Sequence, residues 1–275
     1  MSRKERSTDN TKERSLGTAL RAFMVEARRE PRDVVIVFLA VAVVGILSYQ
    51  YGSKRFFYDQ WYGDLSGERL YDLYQYLYWF TSEFVLYFLL LIPVILFLHR
   101  KRLRDFGVTV GDWRFGLRVS LLFYAVMLPI LWVVSASASF QDVYPHSQIV
   151  RGDWTLFLIY EAAFILYFIG WEFIWRGYML FGLLPYTGAT VAVLAQMIPF
   201  VILHYGKPMP ETFGAIVAGI ALGALSVRTR SFLYAVLIHW SVMLTIDLLA
   251  TLRFRSAIDG IGPAAFIDVF SALLR

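Results

Sequence analysis

Long apolar runs constrain this chain more than any other feature of its sequence. VVIVFLAVAVVGILSYQY, residues 34–51, has no charged residue. A run of about 18 or more residues with few charges is long enough to cross a bilayer as a helix. Such runs recur at about 77–98, 117–138, 154–182, 188–206, 212–227 and 231–251. The expectation is an all-α, polytopic transmembrane helical bundle of about seven spans. The fourth run is too long for one perpendicular crossing, so it tilts or runs into the interface. In the sixth, Ala215, Gly219 and Gly223 form a small-residue stripe that lets a neighbouring helix approach closely.

The 275 residues divide into four parts. Residues 1–33 are a polar, basic, cytoplasmic segment, expected to be disordered at first and then a short amphipathic surface helix, LGTALRAFMVEARRE. Residues 34–153 are a transmembrane scaffold, 154–251 a transmembrane core, and 252–275 an amphipathic tail. About thirty polar residues precede a full-length first apolar run, so that run reads as a retained anchor rather than a signal peptide. With no cysteine there is no disulfide, thiol nucleophile or Cys-based metal site.

The net charge of +5 reflects membrane topology, not nucleic-acid binding. With the N-terminus inside, 18 of the 26 Lys and Arg fall on the inner side, Arg176 included. The positive-inside rule favours that orientation. The lipid bilayer is the first partner the chain implies.

Ionisable groups within apolar spans are expensive, and are therefore candidates for function. Those of the core are Glu161, Glu172, Arg176, His204, His239 and Asp247, beside the amide Gln196; Glu83 alone lies in the scaffold. The site is therefore expected in the last four helices. Glu172 and Arg176 stand at i and i+4 on one helix face. Glu161 is expected at another depth of the same cavity or at the headgroups, and Asp247 near the interface. His204 opens the segment YGKPMPE, whose prolines and glycine predict irregular backbone. Such backbone survives at membrane depth only where protein buries it or water wets it. Glu211 and Lys207 thus become possible members of a wet site, although Lys207 reads more simply as an exposed loop charge.

Two chemistries fit these residues. In one, a carboxylate acts as general base on water while imidazoles orient the water and stabilise the oxyanion. In the other, His204, His239 and Glu172 bind zinc. No HExxH spacing favours a zinc protease, so no cofactor is expected. No Gly-x-Ser-x-Gly elbow favours a serine triad.

Three strings resemble a known family. WEFIWRG (171–177), FVILH (200–204) and HWSVM (239–243) are similar to the EExxxRG, FxxxH and HxxxN hallmarks of the CAAX protease and bacteriocin-processing (CPBP, or Abi) family. The resemblance covers roughly residues 154–251. It implies a glutamate-dependent intramembrane endopeptidase acting on membrane-associated or prenylated peptides, in a compact protein of the bacterial cytoplasmic membrane. It also implies that the first Glu of the pair and the FxxxH histidine activate water, while the second histidine and the Asn hold the oxyanion. Here the first Glu is Trp171 and the Asn is Met243. Trp171 points about 100° around the helix from Glu172. Either Glu172 turns into the base role, or Glu211 supplies the base, or the fold is kept for binding a partner or resisting a peptide without catalysis. The catalytic candidates are thus Glu172, His204, His239, Arg176 and Glu211. An ion or proton carrier using Glu161, Glu172 and His239 is a third class. His204 reaches the depth of Glu172 only through a shifted span or a re-entrant GKPMPE loop.

Overall fold

The computed structural model describes residues 16–22, 24–26 and 29–274. Residues 1–15, expected to be disordered, lie outside this range, and the surface-helix expectation falls on residues of which 16–22 and 24–26 are helical. No strand occurs among the described residues.

Six helices are long and apolar enough to span a membrane: α1 (Arg32–Leu65), α2 (Tyr71–His99), α3 (Trp113–Val134), α4 (Trp154–Ile202), α5 (Met209–Thr229) and α6 (Leu233–Ser256). A shorter helix, α7 (Pro263–Ser271), follows. The protein is an integral membrane protein. Helix α4 is the element that turns six helices into seven crossings. At Gly188 the backbone leaves the helical region, with φ 76° and ψ 168°. Only glycine adopts such angles without strain, and no atom lies within 4 Å of where its Cβ would stand, so conformation rather than space requires it. Beyond Gly188 the chain runs back alongside itself. Phe200 and His204 return to Trp171, with ring centroids 6.0 and 6.1 Å away. His204 and Trp171 are 16 and 17 residues from Gly188, which at 1.5 Å per residue places them at similar depth. The second half of α4 is therefore short, and the irregular segment after it sits beside Trp171.

Both arms of α4 are central. The α4 and α6 windows are each 56% buried, against 11% for α3, which faces its surroundings. The first arm packs on α2 and α6, the second on α5 and α1. The small-residue stripe of α5 makes the second contact. A Cβ on Gly223 would lie 2.8 Å from Gln196 Nε2, which instead donates to the carbonyls of Gly219 and Val193 at 2.8 Å. The buried amide nitrogen is thus paired, while Oε1 accepts no hydrogen bond.

Helix α4 widens to a π-helix over Phe173–Met179, the segment carrying Arg176. Helix α2 does the same over Val85–Leu89 and Val94–His99, on either side of Pro93, which offers no N–H to the regular ladder. The expected tail is anchored by Arg253, buried to 1%. Its guanidinium donates to Ser135 Oγ and to the carbonyls of Trp132, Ile258 and Gly260.

Candidate active site

The Glu172–Arg176 turn sits fully buried in α4, with both side chains at 0% exposure. Arg176 was counted with the inner charges above, but it lies inside the protein. Its Nη1 is 3.1 Å from Glu172 Oε2 and 3.3 Å from Oε1, and its guanidinium carbon is 3.8 Å from the Phe200 ring centre. His239 Nδ1 on α6 also donates to Oε1, at 2.6 Å. Oε2 is buried and accepts no hydrogen bond, so Glu172 is held by Arg176 and His239 and shut away from solvent. Glu172 lines neither of the two cavities described below.

The His239 bond has a chemical consequence. With Nδ1–H given to Glu172, Nε2 is directed elsewhere, and the ring borders both cavities. His204 is arranged alike. Its Nδ1 donates to the Phe200 carbonyl at 2.7 Å, because a carbonyl only accepts, and this leaves Nε2 as an acceptor. The rings are nearly parallel, with centroids 6.4 Å apart. Burial holds His204 down at about 4, with the Phe200 bond opposing, so it is neutral near pH 7.

Glu211 does not sit on an irregular loop. Pro208 caps α5, Pro210 occupies its first turn, and Glu211 follows in that turn. Proline at a helix start loses nothing, since its missing N–H has no partner there; that signal was present in the sequence. Glu211 Oε2 accepts from Tyr144 Oη at 2.5 Å, and Oε1 lies 3.7 Å from Lys207 Nζ. Lys207 also donates to Tyr144 Oη at 2.9 Å and to His146 Nε2 at 3.2 Å. It is therefore part of a network, not a free loop charge. Burial lowers Lys207, and Glu211 opposes that. Burial also lowers His146 well below its ordinary value, aided by Lys207 and Lys54, and raises Tyr144, aided by Glu211. Tyr144 and His146 were not singled out in the sequence. They come from the non-spanning stretch between α3 and α4, where no periodicity marks them.

Two cavities meet here. One, of about 260 Å³, is apolar and lies among α3, α5 and α6, with Met127, Leu131, Ala218 and Val242 in its wall. The other, of about 320 Å³, is more polar and includes Glu83, His146, Trp171 and Lys207. The residues in both walls are His204, Glu211, His239 and Met243. The second cavity also draws on α1 and α2 through Ser48, Trp79 and Tyr87, so the first two spans do more than scaffold.

The remaining expectations resolve as follows. Glu161 and Asp247 border neither of these cavities. They are 4% and 0% exposed, and their carboxylate oxygens are buried without a hydrogen bond. Glu172, His204 and His239 do not offer three free donors to one point, because Glu172 is engaged by Arg176 and His239. No group of three or more His, Asp or Glu among the described residues is arranged to hold a metal ion. Trp171 borders the polar cavity, with a buried Nε1 that makes no hydrogen bond.

Residues 153–245, about a third of the chain, match the family model described as Type II CAAX prenyl endopeptidase Rce1-like. No curated protein and no solved structure matches the chain. The matched segment holds both arms of α4, all of α5 and the part of α6 that carries His239. Through that segment the chain is similar to the CAAX-protease-like membrane proteins that this model describes.

Proposed function

We propose that the chain is an intramembrane endopeptidase that hydrolyses membrane-associated or prenylated peptides, and that Glu211, not Glu172, is its base. The observation that carries this reading is the common wall of the two cavities, made of His204, Glu211, His239 and Met243. An apolar space that takes a lipid or apolar segment there adjoins a polar space that takes water.

The roles follow from the hydrogen bonds. His204, donating Nδ1–H to Phe200, holds the attacking water by its Nε2 lone pair. Glu211, fixed by Tyr144 and Lys207, takes the water proton as the O–C bond forms. Glu172 accepts the Nδ1–H of His239 and so orients the ring, as a buried carboxylate does for a catalytic histidine elsewhere. The Nε2 edge of His239 faces the oxyanion, and Glu211 passes the proton it took from water to the leaving amine as the C–N bond breaks. Arg176 holds Glu172 in place. Met243 supplies no hydrogen-bond donor, so oxyanion support rests on His239. The scheme assigns every step to side chains and routes none through a metal. The Lys/Arg distribution supports an N-terminus on the cytoplasmic side of the membrane.

A second reading has one observation in its favour. Trp171 puts an indole where the family has a carboxylate, with its ring 6.1 Å from that of His204. A fold that binds peptides without cutting them would accommodate that.

The test is cleavage of prenylated and transmembrane peptides by the purified protein in nanodiscs. Activity that falls at least about a hundredfold in Glu211→Gln and His204→Ala supports the scheme, given the usual contribution of general-base catalysis. Loss on Glu172→Gln with full activity in Glu211→Gln moves the base to Glu172. Tight peptide binding without cleavage supports the second reading. Loss of activity to a chelator, restored by zinc, overturns the metal-free scheme.

A further inference from the structure

Glu83 is a carboxylate that the scheme above does not use. It lies on α2, is 4% exposed, and borders the polar cavity. Its Oε1 accepts from Ser48 Oγ at 2.6 Å, and Tyr87 Oη donates to that Ser48 at 2.9 Å. Its Oε2 is buried and makes no hydrogen bond of ordinary geometry, although the Trp79 indole lies close to the carboxylate. No Lys, Arg or His comes within 4 Å of it among the described residues, unlike Glu172 and Glu211. A buried carboxylate without a cation is a costly arrangement for a protein to retain.

The space in front of it is walled by aromatic rings. Trp79, Tyr87, Tyr167, Trp171 and Trp175 all border the same cavity. Tyr167 packs on Trp79 at 5.1 Å and stacks on Trp171 at 5.6 Å. Trp171 reaches Tyr87 at 6.3 Å and Trp175 at 5.9 Å. Helix α4 is pressed against α2 at this level, since a Cβ on Gly170 would lie 2.8 Å from the Glu83 carbonyl. Aromatic faces carry negative potential and attract cations, most strongly where water is excluded. An aromatic box with one carboxylate is therefore built for a positive charge.

The charged residues bordering the rest of the cavity form a separate group. Lys207, Glu211 and His146 bond among themselves and to Tyr144. Tyr167 borders the same cavity, packed against Trp79 and Trp171. One cavity thus holds a paired, water-activating end and an end whose carboxylate lacks a partner.

We infer that the Glu83 end of the polar cavity is a binding subsite for an organic cation, the ammonium or guanidinium of a lysine or arginine side chain in a membrane peptide. The ligand's charge supplies the cation that the Glu83 carboxylate lacks. Its alkyl stem lies along Trp79, Tyr167 and Trp171. That the occupied peptide is then cut rests on the proposed peptidase reading, but occupancy of the subsite does not.

Binding to the intact protein in nanodiscs tests this without activity. The probes are Nα-acetyl-lysine methyl ester and its norleucine counterpart, which lacks the ammonium. Tryptophan emission and calorimetry report occupancy, since three tryptophans border the box. The lysine probe is expected to bind about thirtyfold more tightly than the norleucine probe, equivalent to roughly 2 kcal/mol. Glu83→Gln, nearly the same shape, is expected to abolish that preference and leave norleucine binding unchanged. Equal affinity for the two probes in the wild type overturns the inference. So does a preference that survives Glu83→Gln and vanishes in Glu211→Gln, which puts the cation at the other end. If Glu83→Gln fails to fold, Trp171→Leu replaces it, with the lysine preference expected to fall and its full retention counting against the box. Preferential cation binding with no cleavage of lysine-containing peptides leaves this inference standing and removes the peptidase reading.

Discussion

Two trios in the molecule set an acid against both a histidine and a base. Glu172, His239 and Arg176 lie inside the protein. Asp33, His99 and Lys101 lie where α1 begins and α2 ends, with Asp33 2.9 Å from His99 Nδ1 and 2.6 Å from Lys101 Nζ. The difference is what the histidine has left over. His99 spends both nitrogens, since Tyr178 Oη pairs with its Nε2 at 2.9 Å, and its side chain is 0% exposed. His239 spends only Nδ1 and turns its other edge to two cavities. Composition alone would assign both trios the same role. One free ring nitrogen next to a cavity makes one of them a candidate for chemistry. The other ties helix ends together, helped by Tyr186, which donates to Asp33 at 2.6 Å.

The sharpest way to break this comparison is to remove the base from each trio. Arg176→Met leaves Glu172 as a buried charge with less compensation, and is expected to cost about 3–5 kcal/mol. Lys101→Met removes a cation that is 31% exposed and is expected to cost about 1 kcal/mol or less. Denaturant or thermal unfolding in detergent measures both, and equal losses would show that the two trios do the same work. Replacing both central charges, Glu172→Leu with Arg176→Met, is expected to be milder than Arg176→Met alone, because no lone charge remains.

Acid titration gives the next largest effect. His204 has a folded-state value of about 4 against an ordinary 6.5. Below about 6.5 the unfolded chain binds this proton and the folded chain does not. The neutral state of His204 therefore stops protecting the fold as pH falls from about 6.5 to about 4, for a loss of at most roughly 3 kcal/mol. Unfolding measured across this range should lose that dependence in His204→Gln.

At Gly188 a side chain is expected to cost about 1–3 kcal/mol through backbone strain alone. Gly188→Val, assayed by unfolding, should also widen the gap between Phe200 and Arg176, detectable as altered reactivity or fluorescence near Trp171. A neutral substitution would mean that the chain reverses elsewhere.

The smallest effect belongs to the Asp33 trio. Burial lowers Lys101, but the hydrogen bond and charge of Asp33 outweigh it, and the net shift is upward. A raised lysine stabilises the fold below its unfolded value near 10.5 and loses that contribution as pH rises further. Stability should therefore decline slightly above about pH 10.5 in the wild type and not in Lys101→Met, while the central trio gives no parallel loss.

Some of this architecture was legible in advance. The apolar runs gave most span ends to within about six residues, because the length needed to cross a bilayer is a property of local sequence, although α1 continues to Leu65, past the expected 51. The small-residue stripe on α5 marked the face that meets α4, because close packing needs missing side chains. The strings around Glu172, His204 and His239 pointed to three helices of one family. Other features were hidden. Glu83 belongs to α2, whose π-turns at Val85–Leu89 and Val94–His99 shift the register that helical periodicity assumes. Tyr144 and His146 lie in a segment with no period at all. The prolines around Glu211 looked like a loop, although proline starts a helix as readily as it ends one.

The sequence by itself determined that this is a helical membrane protein with a few costly polar groups, since hydrophobic length and the price of buried charge are local matters. The tertiary structure decided which of those groups are free. It held Glu172 between Arg176 and His239, placed Glu211 in the common wall of two cavities beside His204 and His239, and left Glu83 without a cation. These outcomes depend on where α4 reverses and which helices it meets, and a hydrogen-bond partner supplied from another helix leaves no trace in the residues around it.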